Sequence, residues 1–480
     1  MQGFVNAKQT YYHAIKNVPA YASYLELSDY NTRKSVGSYI EWSQIPLTSK
    51  ESYILKYSVD QLQDKLSKPP IVYASSGSTG SPTFWFGSDQ QEALSLLSHK
   101  KLFSGLYNIK KGEPTLVVIS FAMDLWMAGH HTLAACRGLS RQGFNITTAT
   151  PGYSVERTLS VLSSLGNFYK NIVLAGHPAF VMDIVLEAKK LKLLDNNKKY
   201  KVLVTGSKIS EEWRDDLLTV LGQRDPFSIC SVYGSTDAGK MAYETPLTIS
   251  LRKKLPTSLL MTLFDSVDAV PGLYQFHPRS IFFERVNKQL IITINTPIPL
   301  VRYNIKDKGC VLTINELLKK SDSKLIRNIV EKFPAWNLPI VAVTGRSNVC
   351  VTFYALHIYP EHILAGIESR ECKKFLTGKF FSYSKLKNKS KEEIFTLVLE
   401  LSKNLKVADL TDADKVIILE SIVRNLKRLN IEYSKLLEMI KSKALPSIVF
   451  KEYNEKNFYP KQVNGVYLDS TGKPKIITKK

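Results

Sequence analysis

The sequence predicts an α/β protein: a large N-terminal domain with parallel sheets and a β-rich subdomain, followed by a small α+β C-terminal domain. Three observations predict this class. Short apolar runs alternate with amphipathic stretches from residue 114 to 234, further apolar runs follow closely from about residue 285, and the composition changes after residue 346. A chain of 480 residues also exceeds one ordinary core, so more than one domain is expected.

The alternating segment has the order of strands and helices in a parallel sheet. Buried strands are typically short, apolar and β-branched, and four runs fit: PTLVVISF (114–121), NIVLAG (171–176), KVLVTG (201–206) and FSICSVYG (227–234). After the second run, apolar residues recur at helical spacing: Phe180, Ile184, Ala188 and Leu191. After the third run, Ser210 is placed as the N-cap of a helix. Strand, helix, strand order predicts parallel strands covered by helices.

The two ends of the chain have other patterns. Residues 1 to about 70 predict helices and connectors, with IPLTSKESYI (45–54) as a turn into a capped helix. The β-rich subdomain is predicted from three closely spaced runs: QLIITIN, GCVLTI and PIVAVTG. Residues 390–445 are charged and predict helices, one of them opened by a capping box of Thr411 and Asp414. We expect a large domain over 1–345 and a small one over 346–480.

Composition and charge disfavour several classes of protein. No run of about 18 apolar residues is present, and the N-terminal segment lacks the pattern of a signal peptide. The five cysteines are scattered without a CxxC pair, so no zinc site or disulfide framework is indicated, and we expect a cytoplasmic protein. The formal net charge of +22 comes from lysines spread along the chain, not from an arginine-rich tract interleaved with aromatics. This distribution disfavours nucleic-acid binding as the main function. A homodimer is a separate possibility that the sequence leaves open.

A loop rich in glycine and hydroxyl groups, SSGSTGSPT (75–83), directly follows the apolar run PPIVYA. Glycines let backbone N–H groups converge, and hydroxyls add further donors, so such a loop can wrap phosphate oxygens. It has neither the GK[ST] ending of a Walker loop nor the GxGxxG spacing of a dinucleotide fold. From these residues alone, a surface loop and a phosphate-binding loop are both open.

Five segments in this order resemble those of the adenylate-forming enzymes, the acyl-CoA synthetases and their relatives. They are SSGSTGSPT (75–83), VYGSTDAG (232–239), PLVRYNIKDKG (299–309), VTGRSNVCV (343–351) and DSTGKPKIITKK (469–480). Other segments are similar to the phenylacetate-CoA ligase branch: NVPAYASYLELSDY (17–30), IPLTSKESY (45–53) and ALHIYPEHIL (355–364). The resemblance covers nearly the whole chain and weakens over residues 370–445.

This resemblance implies a site for ATP and Mg²⁺. The residues that would hold the phosphates are Ser75, Ser76, Gly77, Ser78, Thr79 and Gly80. The other implied roles are as follows: Tyr233 against the adenine with Gly234 and Ser235 beside it, Thr236 on the phosphate as a catalytic residue, Asp237 as the Mg²⁺ ligand, Asp307 on the ribose hydroxyls, Arg346 near the phosphate, and Lys473 as the catalytic lysine. Without the other motifs, the position of Asp237 is equally typical of a helix cap, and that of Asp307 is typical of a surface residue at a strand end.

The acid-binding pocket is expected near residues 121–131, 176–180 and 205–235. Trp126 and His130 fall where the family's acyl pocket often runs, and His177 follows a strand, where ligands of open α/β sheets bind. A packed or exposed histidine explains the position of His130 equally well, and it is the favoured explanation for His177. The aromatic side chains would suit an aromatic acid.

The implied function is ATP-dependent activation of a carboxylic acid as an acyl-adenylate, followed by transfer to a thiol such as CoA as a mobile C-terminal lid domain swings. The positions that depart from the family pattern are Ser207 and Lys208, where relatives often carry Gly-Gly-Glu, Lys306, where glycine is usual, and Asn348, in place of the hinge aspartate. Two alternatives stay open. One is an adenylating enzyme that transfers to a carrier protein or an amine without CoA, and the other is a degenerate, non-catalytic binding subunit.

Overall fold

The structure is a computed structural model, which describes residues 2–32, 35–75, 83–206, 208–266, 270–346, 351–354, 356–358, 360–386, 393–453, 455, 466–468 and 474–476. The chain divides into two compact units: Met1–Ala74 with Phe84–Ser347, and Ser75–Thr83 with Asn348–Lys480.

The described helices, in chain order, are α1 (Gln2–Asn17), α2 (Pro19–Leu27), α3 (Tyr39–Ser43), α4 (Val59–Leu62), α5 (Asp89–Lys101), α6 (Met127–Arg141), α7 (Val155–Leu165), α8 (Pro178–Lys190), α9 (Glu211–Val220), α10 (Pro246–Lys254), α11 (Thr257–Leu263), α12 (Ile314–Lys320), α13 (Lys324–Lys332), α14 (Pro360–Ile367), α15 (Asp412–Leu429) and α16 (Ile431–Ile440). None of these helices is long and apolar enough to cross a membrane.

The described strands are β1 (Thr48–Ser49), β2 (Ile71–Ser75), β3 (Thr83–Gly87), β4 (Thr115–Ile119), β5 (Ile146–Ala149), β6 (Asn171–Gly176), β7 (Lys199–Thr205), β8 (Ile229–Ser235), β9 (Gly239–Tyr243), β10 (Gly272–Gln275), β11 (Phe282–Val286), β12 (Gln289–Ile294), β13 (Leu300–Leu312), β14 (Ile340–Arg346), β15 (Val351–Phe353), β16 (Leu356–Ile358), β17 (Leu376–Leu386), β18 (Glu393–Leu401), β19 (Ser447–Lys451), β20 (Val466–Leu468) and β21 (Pro474–Ile476).

One large sheet organises the first unit. Its strand order is β11-β12-β13-β14-β10-β9-β8-β7-β6-β4-β5, and β1 pairs with β13. In this order the strands from β5 to β8 are parallel to each other, and each pair from β8–β9 to β12–β11 is antiparallel. The additional strand β1 is parallel to β13. The predicted parallel sheet and the predicted β-rich segment are therefore parts of one sheet, and the α/β class is confirmed. Because β4, β6, β7 and β8 are parallel, their carboxyl ends meet at one edge, where ligands of open α/β sheets bind.

The two faces of this sheet carry separate apolar cores. On one face, Cys136 and Leu139 of α6 pack in a cluster that includes Leu273 of β10; we call this the α6 face. On the other, Tyr11 of α1 packs in a cluster that includes Tyr274 of β10; we call this the α1 face. Successive residues of β10 point to opposite faces, as the period of a strand requires.

The predicted helix signals are confirmed at α8, α9 and α15. The Oγ of Ser210 accepts a hydrogen bond from the backbone N–H of Trp213 at the start of α9. The reciprocal capping box of Thr411 and Asp414 opens α15. Three of the four periodic apolar residues of α8 are buried, whereas Leu191 lies at the C-cap with 51% of its surface exposed.

Two local predictions are wrong. Residues 390–445 are not helical throughout, because Glu393–Leu401 forms β18 between β17 and β19 in a five-stranded sheet of the second unit. Its sequence, EIFTLVLEL, is rich in β-branched and aromatic residues, which favour a strand. Within 45–54, Thr48 and Ser49 form β1 and a single 3₁₀ turn begins at Ile54, so the capped α-helix begins only later, at Val59 of α4.

Candidate functional site

The segment 233–239 forms a tight hairpin at the carboxyl end of β8. Tyr233, Gly234 and Ser235 end β8, and β9 begins at Gly239, whose φ of +74° is a conformation that favours glycine. A Cβ on Gly234 would lie 2.7 Å from the carbonyl oxygen of Gly239, so the close strand pair also needs glycine there.

The turn of this hairpin carries two of the predicted site residues. The Oγ of Ser235 accepts a hydrogen bond from the N–H of Ala238 at 3.2 Å and closes the turn over Thr236 and Asp237. Asp237 is thus part of a strand-to-strand turn, and the alternative that it caps a helix is wrong. The turn presents both side chains at the ligand-binding edge of the parallel strands.

Asp307 lies inside β13, and only 5% of its surface is exposed. The alternative that it is a surface residue at a strand end is therefore wrong. Its Oδ2 accepts a hydrogen bond of 2.6 Å from the hydroxyl of Tyr233, and the Tyr233 ring stacks on Tyr274 with the centroids 5.6 Å apart. Asp307 also pairs with Arg346 in the register of β13 and β14. The structure thus brings together Tyr233, Asp307 and the backbone of Arg346.

A second hydrogen bond joins β13 to the hairpin, and here the tyrosine belongs to β13 and the aspartate to the hairpin. The hydroxyl of Tyr303 donates to Oδ2 of Asp237 at 2.7 Å. The tyrosine of each segment therefore holds the aspartate of the other, Tyr233 with Asp307 and Tyr303 with Asp237. A phenol that donates to a carboxylate forms one of the stronger hydrogen bonds in proteins. These two bonds hold both aspartates at defined positions.

Tyr303 is a site residue that the sequence interpretation did not single out. It stands in the quoted segment RYNIKD, but nothing in the sequence indicates its partner on β8. The preceding residue, Arg302, is 3% exposed, pairs with Glu284 at 3.2 Å and donates to the carbonyl of Ser43 at 2.6 Å. These contacts attach the C-terminal end of α3 and strand β11 to β13 beside Tyr303.

Lys306 has a positive φ of +65°, and its N–H donates to Oδ1 of Asn304 at 2.8 Å. A positive φ is the conformation that glycine adopts without strain, which explains physically why glycine suits this position. Lysine adopts it here within β13, where Asn304 accepts its N–H. The departure from the expected glycine therefore leaves Asp307 in place, one residue later.

A buried charge network lies beneath the hairpin. Oε2 of Glu244 accepts from the N–H of Ser231 on β8 at 2.8 Å, and its Oε1 pairs with Nη2 of Arg214 at 2.7 Å and Nη1 of Arg252 at 3.2 Å. Burial alone would lower the pKa of Arg214, but the carboxylates of Glu244 and Glu211 raise it above its ordinary value. The sequence interpretation missed this network, which fixes β8 to α9 and α10.

The expected pocket residues lie at the same edge of the sheet. Trp126 is the N-cap residue of α6, and Nε2 of His130 lies 2.8 Å from the carbonyl oxygen of Asp124. His177 is the N-cap residue of α8, directly after β6, and is 3% exposed. Burial lowers the pKa of His177 to about 3, so its imidazole is neutral at physiological pH.

Several predicted residues lie outside the described part of the chain. They are Ser76, Gly77, Ser78, Thr79, Gly80, Ser207, Asn348 and Lys473. Ser75 ends β2, before the loop, and Arg346 ends β14. Lys208 is exposed, and its Nζ donates to the carbonyl of Val270 at 2.8 Å. In the described ranges, no group of three or more His, Cys, Asp or Glu side chains forms a metal cage.

No family profile and no curated protein sequence matches the chain. Among solved structures, the chain is similar to 2-hydroxyisobutyryl-CoA ligase in complex with 2-HIB-AMP and CoA in the thioesterification state. The TM-score is 0.66 at 14% identity, over 96% of this chain and 88% of that chain. The chain has the fold of the adenylate-forming ligases.

Other states of the same ligase agree with this fold. Its postadenylation state in complex with R3-HIB-AMP gives a TM-score of 0.53 at 13% identity, over 94% of this chain and 86% of that chain. Its open conformation in complex with 2-HIB-AMP and CoA gives a TM-score of 0.52 at 13% identity. The resemblance first indicated by the five motifs is thus confirmed in the architecture of the chain.

Proposed function

We propose that this protein is an ATP-dependent adenylate-forming ligase that activates a carboxylic acid and passes the acyl group to a thiol such as CoA. The reciprocal bonds Tyr233–Asp307 and Tyr303–Asp237 carry the proposal, because they unite the two segments that resemble the family's nucleotide motifs. The fold supports it, since the similar 2-hydroxyisobutyryl-CoA ligase binds an acyl-AMP and CoA. The aromatic side chains near the sheet edge favour an aromatic acid, as in the phenylacetate-CoA ligase branch.

The first step joins two anions. A carboxylate oxygen attacks the α-phosphorus of ATP, a new O–P bond forms, and the bond to the bridging oxygen of pyrophosphate breaks. No proton has to move, so the protein must align the reactants and neutralise their charge. Preorganised donors and cations are the groups that do this in a site shielded from water.

The residues of the first unit would hold the nucleoside half of ATP. The ring of Tyr233 would lie against the adenine, while Asp307 would accept hydrogen bonds from the ribose hydroxyls. The bond from Tyr233 orients the carboxylate of Asp307, whose oxygens are the kind of acceptor that ribose hydroxyls require. Thr236 would donate to the phosphate from the turn after β8.

Asp237 fits a Mg²⁺ that arrives with ATP. Mg²⁺ in nucleotide sites is typically held by one or two carboxylates together with phosphate oxygens and water, and Asp237 is a partly exposed carboxylate at the sheet edge. When bound, the ion would neutralise phosphate charge. Tyr303 would fix the rotamer of Asp237 through its bond to Oδ2.

We assign the remaining roles from the motif resemblance. The hydroxyl and glycine loop, Ser75 to Gly80, would bind the phosphates, and Lys473 would neutralise charge on the α-phosphate. Arg346 would lie near the phosphate, and the chain would turn at Arg346 and Asn348 between the two steps. In the second step, the thiolate attacks the acyl carbon, the thioester bond forms and AMP leaves.

The test is carboxylate-dependent exchange of pyrophosphate into ATP, with a panel of aryl, alkyl and amino acids. We expect exchange with at least one acid, and its loss in Asp307→Ala and Lys473→Ala. Asp265→Ala is the matched control, because this exposed aspartate pairs with two cations, Arg285 at 2.6 Å and Lys320 at 3.5 Å. If no acid supports exchange and calorimetry detects no ATP binding, the proposal is wrong and the binding-subunit alternative stands.

The acceptor is tested separately. Product analysis after adding CoA, an amine or a carrier-protein thiol to the preformed acyl-adenylate identifies which nucleophile releases AMP. Thioester formation with CoA supports the proposed second step. Release by an amine or a carrier protein alone would assign the CoA-independent alternative.

A further inference from the structure

Three basic side chains form a cluster on the α6 face of the large sheet. They are Lys240 of β9, His99 of α5 and His131 of α6. Nζ of Lys240 lies 3.1 Å from Nδ1 of His99 and donates to the carbonyl oxygen of Ser95 at 3.2 Å. Lys240 is the residue immediately after Gly239, so the cluster adjoins the hairpin that carries Asp237.

His131 completes the cluster from the next helix. Its Cε1 lies 3.6 Å from the position that a Cβ would take on Gly239, so the ring packs directly on the hairpin. It also contacts Tyr73 edge to face, with the ring centroids 5.4 Å apart. His131 is only 7% exposed, and its buried Nε2 has no hydrogen-bond partner among the described residues. A buried polar atom of this kind requires an explanation, and a bound ligand is one.

The three bases of the cluster have no carboxylate partner among the described residues. Within the described ranges, no carboxylate lies within ion-pair distance of Lys240 and none shifts the pKa of any of the three bases. Burial lowers the pKa of Lys240 to about 7, and burial with the nearby Lys240 and His130 lowers the pKa of His131 to about 4. Lys240 is partly exposed, and an anion beside it would favour the charged form of its amino group.

The cluster and the nucleotide residues occupy opposite faces of one sheet. Tyr233 packs in the core of the α1 face, whereas Lys240 contacts α5, which packs on α6. Both meet at the carboxyl edge of β8. An acid whose reacting carboxylate lies near Thr236 and Asp237 would therefore extend its far end toward the α6 face.

We propose that Lys240, His99 and His131 form the subsite for a second anionic group of the acid, so that the preferred substrates are dicarboxylic acids. This rests on the proposed function, and it names the substrate class of that site. The ammonium of Lys240 pairs with the distal carboxylate, and the Nε2–H tautomer of His131 donates to it. Nδ1–H of His99 donates to the carbonyl oxygen of Ser95 at 2.8 Å, and the same oxygen accepts from Lys240 and orients its amino group. The ion pair supplies the negative charge that the protein itself does not provide.

The first experiment measures pyrophosphate exchange with matched acids. The pairs are glutarate with pentanoate, adipate with hexanoate, and terephthalate with 4-methylbenzoate. We expect the wild type to prefer at least one diacid by about tenfold or more in kcat/KM, since a charged hydrogen bond contributes at least that factor. Lys240→Met should reverse that preference, and His131→Gln should weaken it. Lys16→Met, an exposed lysine of α1, is the control for loss of one charge.

The second experiment does not depend on catalysis. Calorimetry at pH 8 with the three diacids, in two buffers of different ionisation enthalpy, reports proton uptake on binding. An anion raises the pKa of Lys240, so the wild type should take up a proton, and Lys240→Met should not. Besides His99 and His131, the groups that face Lys240 are the thiol of Cys230 and the ring of Tyr243, at 6.0 Å.

The outcomes separate the two proposals. Exchange with monoacids alone, or equal losses for monoacids and diacids in Lys240→Met, leaves the ligase function intact and overturns the diacid subsite. If no acid supports exchange, the ligase function fails, and calorimetry alone decides whether the cluster binds diacids. Absence of proton-linked binding with all three diacids overturns the inference.

Discussion

Replacing Tyr303 with phenylalanine tests whether the reciprocal bonds position the catalytic groups. The ring is 1% exposed, so Phe fills the same space, and the change removes only the hydroxyl that donates to Asp237 at 2.7 Å. A hydrogen bond to a charged group contributes about 1.5–3 kcal/mol. Because Asp237 is partly exposed, water can replace this donor, and the free energy of unfolding should fall by only about 1 kcal/mol.

Catalysis should respond more strongly than stability. Without Tyr303, Asp237 loses its fixed orientation at the place where the phosphates would be neutralised. We expect kcat/KM for pyrophosphate exchange to fall by about 10- to 100-fold, which corresponds to about 1.4–2.8 kcal/mol. The concentration of Mg²⁺ required for half-maximal exchange should rise as well. Urea unfolding and exchange assays on the same preparations provide both quantities.

Tyr107→Phe is the matched control. The hydroxyl of Tyr107 is buried and donates to the carbonyl of Val202 at 2.6 Å, away from the hairpin. Its removal leaves a buried carbonyl without this donor and should cost about 1–3 kcal/mol of stability with no effect on exchange. If Tyr303→Phe destabilises the fold but leaves exchange and its Mg²⁺ dependence unchanged, the reasoning that the bond positions Asp237 is wrong.

Three further changes probe the supports of the site. Glu244→Ala leaves Arg214 and Arg252 buried without their shared carboxylate, and urea unfolding should show a loss of about 3–5 kcal/mol, larger than for Glu244→Gln. Lys306→Gly should raise the free energy of unfolding by up to about 1 kcal/mol, because φ is +65° there, whereas Lys306→Ala should give no gain. Burial lowers the pKa of His177 from an ordinary 6.5 to about 3. Between these two pH values the unfolded chain binds more protons than the folded chain, so the free energy of unfolding falls as the pH falls from about 6.5 to about 3. His177→Gln should make this dependence on pH weaker when urea midpoints are measured against pH.

The sequence predicted the parallel sheet well because its strands are buried on both faces. Such strands appear as continuous apolar runs, and β4, β6, β7 and β8 all carry that signal. The prediction from sequence was wrong at β18, because the charged segments on either side made this buried strand resemble part of a helical region. The antiparallel attachment of β9 and β10 to the parallel strands could not be predicted, because pairing between distant segments leaves no local pattern.

The sequence motifs predicted which residues belong to the candidate site, but they did not predict which of these side chains contact each other. Tyr233 and Asp307 were identified from segments that are 74 residues apart, yet only the fold shows that their side chains bond to each other. Lys240 directly follows a quoted motif, and a basic residue there gave no signal without the positions of α5 and α6. Pairings of this kind depend on which side chains a sheet and its covering helices bring together, and periodicity carries no information about them.

The geometry of Asp307 also bears on whether the chain is a catalyst or a degenerate binding subunit. A carboxylate that is 5% exposed is costly to keep in a folded protein unless hydrogen bonds compensate it. The bond from Tyr233 is one such hydrogen bond. Because leucine offers a ribose hydroxyl no acceptor, Asp307→Leu should abolish ATP binding. If Asp307→Leu binds ATP with the affinity of the wild type in calorimetry, the ribose role of Asp307 is wrong, whatever its effect on stability.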